Sequence, residues 1–557
     1  MPRTSTNRYK FWCSDFVTYL TKYIEGLISK KVIHKNLQTI LGQTFIAKKN
    51  NPIIQGLKQT TFSTKIPIIL LVSMSFLFVF SIRDHNVTFV SAFPADFHLP
   101  GLEEVTPAGL VFYVRNYTNW DLVGARLKGE AALTPQKIFR YPYEVCDAFL
   151  DDHETKELIH SRKQYDLFIL DGAYPECALG MVNHFKVPFI YINTVGFYTG
   201  SISNSGSPTP YSITPFFTRP FTDSMGLVDR IFNAGWHMAS EVMHSMVVNI
   251  FLQDILRKHF GPSVPHVYDL GKNVSFILQN GHYTVTYPRP YLPNVAEIAC
   301  IHCKPAKPLS KELEDFINQG GDSGFIFVSM GSSVKASNMP EELRKLLVRT
   351  FSRLPHQVLW KWEDDSRGMA DLPHNVMLSR WLPQQDLLGH KKIRAFVTHG
   401  GLLSMFETVY HGVPVVTMPV FCDHESNAAK AVLDGYALKL DLYGLTSDNL
   451  FKAIHKVIHD PKYREEVKRR QFFLKDQKET PLQRAIYWTE YVIRHKGAKH
   501  LLSPSRDLNF IQYYSIDTIV LLLGVLIFLL SVFAWLLKTS FRYLLDHYTI
   551  PRKIKGD

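Results

Sequence analysis

The chain has 557 residues, with 62 Lys plus Arg against 50 Asp plus Glu, 46% apolar residues and six cysteines. That length supports two or three domains with full cores, and so few cysteines exclude a disulfide-built scaffold. The net charge of +12 is local: residues 1–65 carry +9, residues 538–557 carry +3, and the rest balances at zero. This excludes a basic nucleic-acid-binding body and matches positive charge flanking apolar segments at a membrane.

Residues 1–65 form a basic arm without a nameable motif. Ile66–Phe80 is apolar and uncharged. It is shorter than the roughly 20 residues a spanning helix needs, so segment 66–82 has three readings: a signal-like hydrophobic region, a signal anchor behind a cytosolic arm, or the first buried strand of a domain. Asn86–Ser91 predicts a strand. Tyr165–Leu170 predicts another, ending at Asp171-Gly172, followed by a helix over Cys177–Phe185 and a strand over Val187–Ile192. Strands alternating with helices imply a parallel sheet. Residues 195–270 are aromatic and Met-rich, as the lining of an apolar pocket or a set of packed helices would be. Prolines gather from Pro288 to Lys311 around Cys300 and Cys303, which places a domain boundary near 305 and divides the body into 83–304 and 305–500. The lone CxxC lacks the second ligand pair a metal site needs and reads as structural; its oxidation state stays open.

Phe325–Ser329 opens a second sheet, with Met330-Gly331-Ser332-Ser333 as its glycine turn. Gln357–Trp362 and Val376–Ser379 are further strands. Ala395–Thr398 is a buried strand followed at once by His399-Gly400-Gly401 and by a helical pattern at Leu402, Met405, Phe406 and Val409. Strand, glycine turn and helix start bring free N–H groups and the positive end of a helix dipole toward an anion. Gly412 and Pro414 stop the helix, Val413–Met418 begins another strand, and Pro419–Asn427 is a loop carrying Asp423, His424 and Asn427. A helical region fills about 447–497. Thr518–Leu537 is an uncharged stretch long enough to cross a bilayer. Lys538 and Arg542 behind it assign tail 538–557 to the cytosol and the body to the lumen. Lys553 and Lys555 resemble a retrieval signal of the endoplasmic reticulum, the expected membrane. Sequons at Asn116 and Asn273 suit a luminal body, and the one at Asn86 lies on a predicted strand.

Trp381-x-Pro-Gln384, His399-Gly-Gly, Glu407 eight residues further, His411-Gly-Val-Pro414 and the acidic loop at Asp423 form one long motif of fixed spacing. It resembles the signature of the UDP-glycosyltransferase family, the UDP-glucuronosyltransferase superfamily. The likeness runs from about 86 to 545, through PRPYLPNV and HCKPAKPLSKELEDFI. The resemblance implies the α/β GT-B fold, two Rossmann-like domains facing a cleft, plus a C-terminal transmembrane helix. It implies a UDP-sugar donor as co-substrate, a small lipophilic acceptor and a lipid bilayer as partners, no nucleic acid, no metal and no resident cofactor; homo- and hetero-oligomers are left open. By position, Trp381 would stack on uracil, Gln384 bond base or ribose, and Glu407 accept from the ribose hydroxyls. His399 and the N–H groups at Gly401 would hold the diphosphate with Ser332, and Asp423 and His424 would meet the sugar. Leu402-Leu403-Ser404 and His424 replace an Asn/Gly pair and a Gln frequent in mammalian members. Invertebrate members share this and more often use UDP-glucose, and no Arg stands near Asn280, so glucose is the expected hexose.

Sugar transfer to a hydroxyl needs a base for its proton, a role suited to His beside a carboxylate. In the family an inverting His–Asp pair serves. Asp171 matches the Asp, with a helix cap before Ala173–Leu179 as the plainer alternative. The His belongs in a Ser-x-Ser-His turn about twenty residues before an Arg-Gly-His turn, here Arg83-Asp84-His85. That interval reads TKIPIILLVSMSFLFVFS and holds no His; His85 belongs to the later turn and His34 to the arm. Either the first βα unit is replaced, or the functional protein begins differently. Two functions follow: a membrane-bound transferase conjugating small lipophilic acceptors, or a UDP-sugar-binding membrane protein without turnover. A second, N-terminal span is the alternative to a single C-terminal one.

Overall fold

The computed structural model describes residues 44–49 (backbone only), 85–93, 101–117, 120–195, 200–364 and 369–548. The first sheet has seven strands: β1 (Thr44–Lys49), β2 (His85–Val90), β3 (Leu102–Val105), β4 (Leu167–Asp171), β5 (Phe189–Asn193), β6 (Phe276–Gln279) and β7 (Val295–Glu297). Their order is β3-β2-β1-β4-β5-β6-β7. The runs LFILD and FIYIN of β4 and β5 are buried at every position, as strands covered on both faces must be.

One strand departs from the parallel sheet expected from sequence. β1 is antiparallel to both β2 and β4, while the remaining pairs are parallel. The strand also comes from within 1–65, read as an arm outside the domain; that segment instead supplies a central strand. Its basic composition hid it. The segment 66–82, the sequon residue Thr118, and Lys553 and Lys555 lie outside the described residues.

The second sheet is parallel throughout: β8 (Phe325–Ser329), β9 (Gln357–Lys361), β10 (Val376–Ser379), β11 (Ile393–Thr398), β12 (Val415–Thr417) and β13 (Ala437–Lys439), in the order β10-β9-β8-β11-β12-β13. The order reverses between β8 and β11, and in open α/β sheets the crevice at that switch point takes the ligand.

The helices include α1 (Leu122–Leu127), α2 (Pro135–Asp151), α3 (Glu176–Phe185), α4 (Leu227–Val247), α5 (Gln384–Leu388), α6 (Leu402–His411), α7 (His424–Leu433), α8 (Pro481–Arg494) and α9 (Ile516–Tyr548). Chain order and packing part company at two of them. Leu122 and Val123 of α1 pack in the core of the second sheet, with Ile326, Val328 and Trp360. Burying each is worth about 1.5–3 kcal/mol, and Arg126 of α1 also pairs with Glu425 of α7. In return, Ala485, Ile486 and Val492 of α8 pack against Leu167, Phe276 and Leu278 of the first sheet, and Trp488 stacks on Phe276 at 4.6 Å. Each half therefore lends an element to the other's core.

Beyond α8 the chain stays on the first half. Ser505 Oγ donates to the Gly206 carbonyl at 2.9 Å and Arg506 Nη1 to that of Lys272 at 3.1 Å. Next comes α9, 33 residues with a most apolar stretch of mean hydropathy 3.0 and no buried surface in it. It is long and apolar enough to cross a membrane, and it contains the expected Thr518–Leu537 stretch. Disulfides join Cys146 of α2 to Cys177 of α3 and Cys300 to Cys303, which answers the question left open by the CxxC; Cys422 is free.

Candidate functional site

The two glycine turns meet at the switch point. Gly331 follows β8 with φ +81°, and Gly400 follows β11 with φ +87°, conformations that glycine adopts without steric cost. Gly401 caps α6 in ordinary extended geometry. The His399 ring is clamped between the turns: a Cβ on Gly331 would fall 2.5 Å from it, and one on Gly401 2.7 Å from Nε2. Burial, helped by nearby Lys361, lowers the His399 pKa to about 3. The ring is therefore neutral, with Nδ1 3.1 Å from Thr398 Oγ1. Ser332 follows Gly331 and is half-buried.

The positive charge beside these turns comes from a residue the sequence reading missed. Lys361 ends β9, only 7% exposed. Its Nζ donates to the Gly331 carbonyl at 2.6 Å, pairs with Glu363 at 3.0 Å and lies 5.5 Å from the Trp381 ring centroid. A lysine closing an otherwise apolar strand at its carboxyl end was the available signal.

Two turns along α6, Glu407 is 1% exposed. Gln384, opening α5, donates from Nε2 to Glu407 Oε2 and to Ser404 Oγ, the latter at 3.0 Å. Burial pushes the Glu407 carboxyl up to about 7, against the opposing hydrogen bond from Gln384. On the loop before α7, Asp423 accepts from Asn427 Nδ2 at 2.7 Å, and the same amide donates to the Gly400 carbonyl at 3.0 Å. Asn427 thus ties the acidic loop to the glycine turn. Burial raises Asp423 to about 6. His424 is turned inward, edge-on to His399 with centroids 4.2 Å apart. Its Nδ1 accepts from the Phe421 N–H at 3.3 Å, and burial holds its pKa well below the usual range.

Asp171 ends β4, on the other side of the cleft. One oxygen accepts from the Ala173 N–H at 2.8 Å and the other from Thr194 Oγ1 at 3.1 Å; it closes the turn after β4 and is not the expected helix cap, since the helix starts only at Glu176 behind Pro175. Burial raises it to about 6. No histidine among the described residues bonds to Asp171. His85 opens β2, at the opposite strand end, 3.6 Å from Glu490.

Two Rossmann-like sheets facing a cleft, with a glycine-lined polar cradle at the second sheet's switch point, define a glycosyltransferase of the GT-B fold. The solved structure of TcCGT1 in complex with UDP shares this fold, with a TM-score of 0.50 at 14% identity over 77% of this chain and 96% of that one. Residues 67–549 match the family model described as UDP-glucoronosyl and UDP-glucosyl transferase. UDP-glucosyltransferase 2 of Dactylopius coccus is 31% identical over 84% of this chain and 88% of its own, and human UDP-glucuronosyltransferase 2B15 is 35% identical over 69% and 72%. The chain belongs to this UDP-glycosyltransferase family.

Proposed function

We propose that the second half of this chain binds a UDP-sugar and that its hexosyl group passes to a hydroxyl of a small lipophilic acceptor held by the first half. Uracil would stack on Trp381, with Gln384 at base or ribose and Glu407 accepting from the ribose hydroxyls. His399, the Gly401 N–H and Ser332 would hold the diphosphate beside the Lys361 ammonium, and Asp423 with His424 would meet the sugar. The observation that carries this reading is the His399 ring fixed between Gly331 and Gly401, with Glu407 along the same helix and Asp423 tied to Gly400 through Asn427. No metal or resident cofactor enters the scheme.

In the reaction the acceptor oxygen attacks the anomeric carbon from the face opposite UDP. The bond from that carbon to the β-phosphate oxygen breaks, UDP leaves with the electron pair, and the acceptor proton goes to a base, so configuration inverts. Asp171, raised to about 6, is ionised at neutral pH and suited to orienting a histidine base and stabilising its charged form. No described residue fills that base position. This, with Asp171 engaged by Ala173 and Thr194, favours a second reading, a UDP-sugar-binding protein without turnover.

Glucose is the proposed hexose, on His424 and the Leu402-Leu403-Ser404 turn. We place the chain in the endoplasmic reticulum membrane through α9, with the body luminal and the basic tail cytosolic. Two disulfides suit an oxidising lumen, and Asn273 of a sequon is exposed. The test uses the full chain in detergent or nanodiscs: calorimetry with UDP, then turnover of UDP-glucose, UDP-galactose and UDP-glucuronate with a phenolic acceptor. UDP binding and preferential glucoside formation are expected. No heat from UDP would overturn the donor site, a glucuronate preference would overturn the hexose, and binding without product would establish the second reading.

A further inference from the structure

Cys300-Ile301-His302-Cys303 is a four-residue loop closed by its own disulfide, with Cys300 held at φ +64°, a conformation non-glycine residues seldom adopt. Gln385 grips the loop from α5: its Nε2 donates to the His302 carbonyl at 3.1 Å and its Oε1 accepts from the Lys304 N–H at 2.8 Å. The His302 side chain is wholly buried, and its Nε2 lies 3.6 Å from Glu407 Oε1. The Leu403 backbone is its other polar neighbour. Lys304 is the further charged group facing Glu407. A buried imidazole costs free energy unless its N–H finds an acceptor, and the carboxylate beside it is the side chain assigned above to the ribose.

We propose that His302 is a positioning residue for the donor site: its neutral N–H bonds Glu407 Oε1, sets the plane of the carboxylate, and favours the ionised form that accepts from both ribose hydroxyls. This rests on the reading of Glu407 as the ribose-binding group. The approach needed is about 0.7 Å, from the observed separation to an ordinary hydrogen bond. Burial lowers His302 to about 4 and raises Glu407 to about 7, so near neutrality the imidazole is uncharged while the carboxyl is poised to ionise. Gln384 holds Oε2, and His302 completes the grip from the other side.

The experiment is calorimetric binding of UDP-glucose, whose phosphates do not titrate near neutrality, from pH 5.5 to 8.5. Wild-type affinity should rise with pH through about 7 as Glu407 ionises. His302→Leu should bind about tenfold more weakly at pH 7, with the midpoint moved up by about one pH unit, the effect of losing one hydrogen bond to a charged group. His302→Gln, which keeps an amide donor, should restore most of both. Glu407→Gln should flatten the profile, and His302→Leu should add little in that background. A folded His302→Leu variant with wild-type affinity and midpoint would overturn the proposal, as would an equal loss in the Glu407→Gln background. If His302→Leu does not fold, Gln and Asn at 302 decide: Gln should keep the midpoint, the shorter Asn should lose it, and equal midpoints would overturn the proposal. A wild-type protein that bound no UDP-glucose at any pH would instead refute the donor-site reading beneath it.

Discussion

Gly401→Ala tests the proposed diphosphate cradle with little backbone strain. Gly401 has φ −61° and ψ 137°, values alanine adopts freely, so the backbone resists nothing. The added Cβ would fall 2.7 Å from His399 Nε2, about 1 Å inside ordinary contact. The ring has no room to retreat: Gly331 backs it on one side, His424 stands edge-on at 4.2 Å, and Thr398 Oγ1 lies 3.1 Å from Nδ1. Overpacking of this kind costs about 1–3 kcal/mol, and displacing one hydrogen bond to a charged phosphate costs about 1.5–3 kcal/mol of binding. UDP affinity should therefore fall about ten- to a hundredfold, with a modest loss in Tm. Calorimetry with UDP, beside thermal unfolding, checks both. The reasoning is refuted if folded Gly401→Ala protein binds UDP as wild type does.

Glu407→Gln should weaken UDP binding measurably yet stabilise the ligand-free protein at pH 7.5. The fold raises this carboxyl to about 7, so wild type loses stability as pH climbs from the ordinary carboxylate range through 7, by about 3 kcal/mol in order of magnitude. Melting curves at pH 5 and 7.5 should show a smaller drop for the variant; equal drops would contradict the assignment. Lys361→Met should weaken UDP about tenfold or more while leaving uridine nearly unaffected, since the ammonium lies against the Gly331 turn; parallel losses for both ligands would count against it. Cys146→Ser should lower stability by about 2–4 kcal/mol, because the bond closes a loop of 31 residues between α2 and α3; denaturant unfolding measures this, and an unchanged midpoint under oxidising conditions would show the bond absent.

The parts legible from sequence were those where local pattern and function coincide. β8 and β11 are short apolar runs ending in glycine, and their turns met at one switch point because parallel sheets put strand ends together. Spacing within a motif pointed to Glu407 and Asp423, which the structure places buried near the glycine turns. What sequence hid is tertiary. Thr44–Lys49 looks like a piece of a basic arm until β2 and β4 flank it, and only pairing reveals its antiparallel sense. Nothing local to Leu122 and Val123 says that they enter the other sheet's core. Lys361 lies inside the predicted strand Gln357–Trp362, and only the fold shows that this end of β9 is buried beside the Gly331 turn. His302 sat inside a recognised stretch without a role, because its neighbour Glu407 lies 105 positions away.

The tether formed by Ser505 and Arg506 sets which half of the enzyme is fixed. Before α9, Ser505 and Arg506 contact Gly206 and Lys272 of the first half, and α8 lies on β6. A membrane span at α9, as proposed, would therefore be fastened to the half proposed to receive a lipophilic substrate. With α9 in a bilayer as proposed, any hinge between the sheets would swing the second half against a stationary platform, keeping a route from the lipid phase open while the sugar donor is exchanged on the watery side.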